Sequence, residues 1–274
     1  MTPVHDVQHH YVPEPLARRL GYRPGGDPVA VEHEGRRRFT VHDRLVDLDA
    51  HLGVMDRSGI DVAVLSSLAG WDASGDDCRL INEHMREAID RYGGRFDAFA
   101  HVPTRDEKEG VAELERVTKE LGLRGLTLLT EVNGRSLDDG GLDWLYERAE
   151  AERLPIFVHP TMAVVSQRYA GDEFDLGRIL GRELDLQTAV TRVIAGGVLD
   201  RFPELRLIFG HLGGGIAAIK ERLVKKSFRF GLERDFDHYF DKLYFDMAGF
   251  EGGMGAVRCA LTGIGPRQLV FATD

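Results

Sequence analysis

Three imidazoles and a carboxylate stand at the ends of separate apolar runs: His10 in DVQHHY, His159 in LPIFVHP, His211 in LRLIFGH and Asp274 in LVFATD. Imidazole nitrogens with a carboxylate oxygen suit a hard-to-borderline divalent cation. A histidine and an aspartate beside such an ion can also move protons. Taken singly these residues are weak signals, because strand-terminal histidines and turn aspartates are common without any ligand. Their placement at corresponding ends of different runs carries the reading. Side chains alternate faces along a strand, so Gln8 and His10 share one face and His9 points the other way. Gln8 offers only a neutral amide oxygen there, a weaker zinc ligand than a second imidazole. His101 in AFAHVP reads as structural, and Asp246 in YFDMAGF reads as an acceptor for nearby backbone or for a ligating histidine. The Gly-rich HLGGG segment reads as a close-packing turn ahead of a helix, although such a turn can also face an anion.

Eight apolar runs position these residues: 4–8, 61–67, 97–102, 124–129, 155–159, 205–210, 243–247 and 268–273. Helix-period stretches lie between them, at 78–92, at 107–122 with Gly122 as its stop, and at 142–153. Strands alternating with helices predict a parallel sheet with crossover helices. Runs that are apolar throughout fit strands buried on both faces. A doubly wound open sheet is the alternative, but no G-x-G-x-x-G follows the first run. The prediction is an α/β chain, a (β/α)8 TIM barrel, with one domain over residues 1–274. Such barrels carry their chemistry at the C-terminal ends of the strands, which is where these four residues fall. Residues 21–28 (GYRPGGDP) read as a loop. The chain stops at Asp274 with no eighth helix, which reads as truncation after strand eight, or as a face that another segment or subunit covers.

The 274 residues carry 43% hydrophobic and 29% charged side chains, the composition of a globular protein. A net charge of -10 argues against nucleic acid or an anionic membrane as the partner. Two cysteines make no disulfide framework, and no leader or membrane-spanning run is present in the sequence, so the expectation is a cytoplasmic protein. Arg36-Arg37-Arg38 reads as a solvated loop.

In order along nearly the whole chain, DVQHHYVPE, MDRSGIDVAVLSS, RFDAFAHVP, LGLRGLTLLT, RLPIFVHP, RFPELRLIFGHLGGGIA, YFDMAG and LVFATD resemble the amidohydrolase-related family that contains aminocarboxymuconate-semialdehyde decarboxylase and γ-resorcylate decarboxylase. The resemblance implies a barrel of the metal-dependent hydrolase type. It implies that His10, His159 and Asp274 bind a divalent metal, with Gln8 at a ligand position where relatives carry His or Glu. It implies that His211 and Asp274 do the acid/base work, and that the protein is a homodimer. Zinc is the expected ion, with manganese as the alternative. The expected function is a metal-dependent carboxy-lyase acting on a small carboxylated aromatic or muconate-type acid. A hydrolase of a lactone, amide or C–C bond on the same scaffold is the alternative, and so is a metal-free binding barrel. The loops 68–78 and 160–180 are the expected lining: Trp71 would touch substrate, and Arg168, Arg178 and Arg182 are candidates to grip its carboxylate.

Overall fold

The computed structural model describes residues 2–33, 36–161, 173–249 and 253–274. The chain divides into two compact units, one of residues 1–125 together with Asp274, the other of residues 126–273.

In the first unit three parallel strands lie in the order β1 (His5–His10), β4 (Val62–Ser66), β5 (Phe96–Ala98). His10 pairs with Ser66 and Leu65 with Ala98, so the C-terminal ends of β1 and β4 are level. Helices Leu48–Ser58, Gly75–Arg91 and Glu107–Lys119 flank these strands in sequence. Each opens on a polar cap, from Asp47, Ser74 and Asp106, whose side-chain oxygens accept otherwise orphaned amide protons. The predicted apolar face at 78–92 is seen, with Ile81, Met85 and Ala88 buried. Gly122 takes the left-handed φ of 65° that suits a stop glycine.

One feature was not foreseen. β2 (Val29–His33) and β3 (Arg36–Val41) form an antiparallel hairpin just after the loop that 21–28 forms. The three consecutive arginines break the alternation of Val29, Val31, Phe39 and Val41, so the period-two pattern is masked in the sequence.

In the second unit five parallel strands run in the order β12 (Leu269–Val270), β11 (Tyr244–Asp246), β10 (Arg206–Phe209), β9 (Pro155–His159), β6 (Leu126–Leu129). A two-residue hairpin, β7 (Glu131–Val132) with β8 (Arg135–Ser136), follows β6. Burial explains the uninterrupted apolar runs: all four residues of β6 are buried, and so are the last four of β9. Phe209 stacks on Phe245 at 6.3 Å, and Phe245 on Phe240 at 5.2 Å. Each such ring taken from water contributes about 1.5–3 kcal/mol. The eighth run is shorter as a strand than the predicted 268–273. All eight predicted runs contain a parallel strand.

Candidate metal and active site

In the first unit, β1 brings Gln8 and His10 to Asp274. Gln8 is fully buried, and its Nε2 donates to Asp274 Oδ1 at 2.7 Å. His10 Nε2 stands 2.9 Å from the same oxygen. The Asp274 backbone N–H donates to the Gln8 carbonyl at 3.1 Å, so the aspartate is tied to β1 by main chain and side chain. On the far side of the His10 ring, Ser66 Oγ lies 3.2 Å from Nδ1. A carboxylate oxygen only accepts, so Nε2 carries the ring proton toward Asp274, and the Ser66 hydroxyl donates to Nδ1. Trp71 sets its ring edge-on to His10 at 5.9 Å and 85°. His9 faces away, bonded to Asp6 at 3.1 Å and to His51 at 3.0 Å, as strand alternation requires.

His101, also in this unit, is held differently. Its Nε2 accepts the Ser67 backbone N–H at 2.9 Å, and the ring also bonds the Gly70 backbone. Burial pulls its pKa down to about 3, so it stays neutral. Asn82 clamps its main chain from both sides, accepting from the His101 N–H and donating to its carbonyl. The same amide donates to the buried Glu113, which Arg116 neutralises. His101 is thus a brace, as the sequence suggests.

In the second unit, His159 ends β9 and is 2% exposed. Its Nδ1 lies 2.8 Å from the Pro160 carbonyl. A carbonyl only accepts, so Nδ1 carries the proton and Nε2 the lone pair. The His211 ring stands edge-on to that of His159, with centroids 6.1 Å apart. His211 opens a run of left-handed residues: φ is 50° at His211, 53° at Leu212, and positive at Gly213, Gly214 and Gly215. The two non-glycine members cost about 1–2 kcal/mol each, and strain of this kind concentrates at functional sites. Asp246, fully buried, offsets it by accepting the His211 N–H at 2.8 Å and the Ala248 N–H at 3.0 Å. Glu183 Oε1 accepts from His211 Nδ1 at 3.0 Å.

Asp246 therefore acts as the backbone acceptor that its sequence context suggested. Arg178 pairs with Asp175 at 3.0 Å. Arg168 lies outside the described residues. Sequence reasoning missed Ser66 and Glu183. Neither carries a local signal, because each matters only through a ring that reaches it from another element.

The amidohydrolase family profile matches residues 5–274. This chain belongs to the amidohydrolase family. It is 27% identical over 229 residues to the 2-amino-3-carboxymuconate-6-semialdehyde decarboxylase of Dictyostelium discoideum, an alignment covering 76% of this chain and 62% of that one. It is 28% identical over 293 residues to the γ-resorcylate decarboxylase of Rhizobium radiobacter, covering 97% of this chain and 85% of the relative. The crystal structure of a dihydroxybenzoic acid decarboxylase from Polaromonas sp., with bound manganese and the inhibitor 2-nitroresorcinol, superposes with a TM-score of 0.81 at 23% identity, over all of this chain and 86% of that one. The fold of this amidohydrolase is the α/β, (β/α)8-barrel type.

Proposed function

We propose that this amidohydrolase is a metal-dependent carboxy-lyase that removes CO2 from a small carboxylated aromatic or muconate-type acid, acting as one domain over residues 1–274. The observation that carries the metal is the hydrogen-bond polarity at His159. The Pro160 carbonyl at His159 holds the tautomer whose lone pair is on Nε2, and at His10 the Nε2 proton shared with Asp274 is the one an ion would displace. With His10 and Asp274, where the family resemblance places its ligands, the proposed set is two imidazole nitrogens and one carboxylate oxygen, the three-ligand complement typical of a catalytic divalent site. His10, His159 and Asp274 hold the ion, and Gln8 orients Asp274 through its amide. Bound there, manganese or zinc supplies Lewis-acid polarisation of the substrate's oxygens. The manganese in the Polaromonas relative supports an ion of this kind.

The chain's own groups do the rest. Trp71 closes one side of His10 and excludes water from it. His211 and Asp274 move the proton. His211 Nε2 takes up a proton and delivers it to the carbon that bears the carboxylate. The C–C bond then breaks, its electron pair returns to the ring or diene, and CO2 leaves. Arg178 is the described candidate to grip a substrate carboxylate, exchanging Asp175 for it; Arg168 is proposed with it from sequence alone. The proposal includes a homodimer, supported by the exposed apolar side chains of Phe174, Ile179, Leu180 and Leu184 on one segment. It also includes a cytoplasmic location; among the described residues no helix is long and apolar enough to cross a membrane.

The test is CO2 release from hydroxybenzoates and muconate-type acids, with chelated protein reloaded with manganese or with zinc. Turnover should vanish on chelation and return with one of the two ions. Silence across the panel with both ions sinks the reading, and hydrolysis of lactones or amides instead replaces it.

A further inference from the structure

Glu183 comes from the first turn of the helix Arg182–Ala195, far in sequence from any motif. Three contacts dock that turn on the left-handed HLGGG run. The Glu183 carboxylate accepts from His211 Nδ1 at 3.0 Å. The Glu183 main chain packs so closely on Gly214 that a Cβ at Gly214 would collide with the Glu183 carbonyl. Gln187, one turn further along, donates its Nε2 to the Gly214 carbonyl at 2.7 Å. The glycine run thus supplies both the histidine and the seat for its partner. The ring has little room to turn elsewhere, because Gly249 lies against it so tightly that a side chain there would strike Cγ.

We propose that Glu183 is the positioning residue of His211: its carboxylate holds the Nδ1 proton, and so fixes both the ring plane and the lone pair on Nε2, the nitrogen that meets substrate. This rests on His211 as the proton-transferring group of the proposed reaction. A neutral imidazole has one donor and one acceptor nitrogen, and the partner of one decides the role of the other. A carboxylate at Nδ1 can only accept, so the assignment follows from chemistry. Asp246 fixes the backbone of the same residue, which leaves the ring torsions as the freedom that Glu183 removes. Outer partners of this kind typically change activity about 10- to 100-fold when removed.

The experiment uses the full chain loaded with manganese or zinc. Imidazole 15N shifts of His211, assigned by their loss in His211→Asn, should show the proton on Nδ1. In Glu183→Ala the signature should become a mixture of tautomers, and kcat should fall about 10- to 100-fold while KM changes less than about twofold. Glu183→Gln, whose amide oxygen still accepts from Nδ1, should keep the tautomer and recover kcat to within about threefold. A wild-type ring protonated on Nε2 overturns the proposal before any variant is made. So does a Glu183→Ala protein with unchanged shifts, or a Glu183→Gln protein no better than Glu183→Ala. The ring shifts do not depend on turnover. A wild-type protein with the Nδ1 signature and no decarboxylation therefore supports the positioning and removes the decarboxylase reading.

Discussion

His101 and His159 share a residue type, a place just beyond or at the end of a parallel strand, and near-complete burial, with exposures of 1% and 2%. Both give the Nδ1 proton to a backbone carbonyl, of Gly70 and of Pro160, and they differ at Nε2. The lone pair of His101 is consumed by the Ser67 N–H. That of His159 is displaced onto Nε2 by the Pro160 carbonyl at Nδ1. A main-chain donor at Nε2 spends the lone pair of His101 on the backbone, and in the proposed function that of His159 goes to the ion. His211 extends the second case, with a carboxylate in place of the carbonyl. Burial and strand-end position therefore do not separate these histidines, whereas the main-chain donor at Nε2 marks His101 as the brace.

The sharpest way to break this contrast is to remove each ring. His159→Ala should lose stoichiometric metal by elemental analysis and, with it, turnover. His101→Ala, if it folds, should keep the metal, and the opposite pattern would invert the assignment. Next in size, His211→Asn should lower kcat by about 10²- to 10⁴-fold while metal content stays at the wild-type level. A parallel loss of metal would make His211 a ligand and not a proton carrier.

Acid should act through the brace. With a folded-state pKa near 3 set by burial, His101 binds fewer protons in the native state than its ordinary 6.5 allows when unfolded. The unfolded chain takes up the extra proton as pH falls below about 6.5, so His101's contribution is full above that pH and is lost progressively down to about 3. Urea denaturation at stepped pH should show this as a loss on the order of a few kcal/mol. His101→Gln should flatten that part of the curve. An unchanged slope would mean that the ring is not the titrating group. The smallest effect is expected at Asp246→Ala, which strands two buried N–H donors and should cost about 1–3 kcal/mol of stability. Retained full stability there would show that the left-handed turn at His211 supports itself.

Much of this was legible beforehand. The eight runs, the helix that ends ahead of Gly122 and the inward pairing of Gln8 with His10 follow from periodicity, which covalent geometry imposes on any chain. The β2–β3 hairpin escaped because a run of arginines hides its alternation. Ser66 and Glu183 escaped because a serine at a strand end and a glutamate in a helix's first turn look like thousands of others. Gln8 was legible as a position but not as an act: the amide presents its N–H, not its oxygen, to Asp274.

By itself, then, the amino-acid sequence determined the family, the order of strands and helices, and which imidazoles and carboxylates stand at strand ends, since these depend on contacts between near neighbours in the chain. Only the tertiary structure decided which nitrogen of each ring is committed, that Asp246 and Glu183 converge on His211, and that His101 is spent on the backbone. A hydrogen bond has a donor and an acceptor, and which of the two meets a given ring is settled by whatever group the fold carries to it.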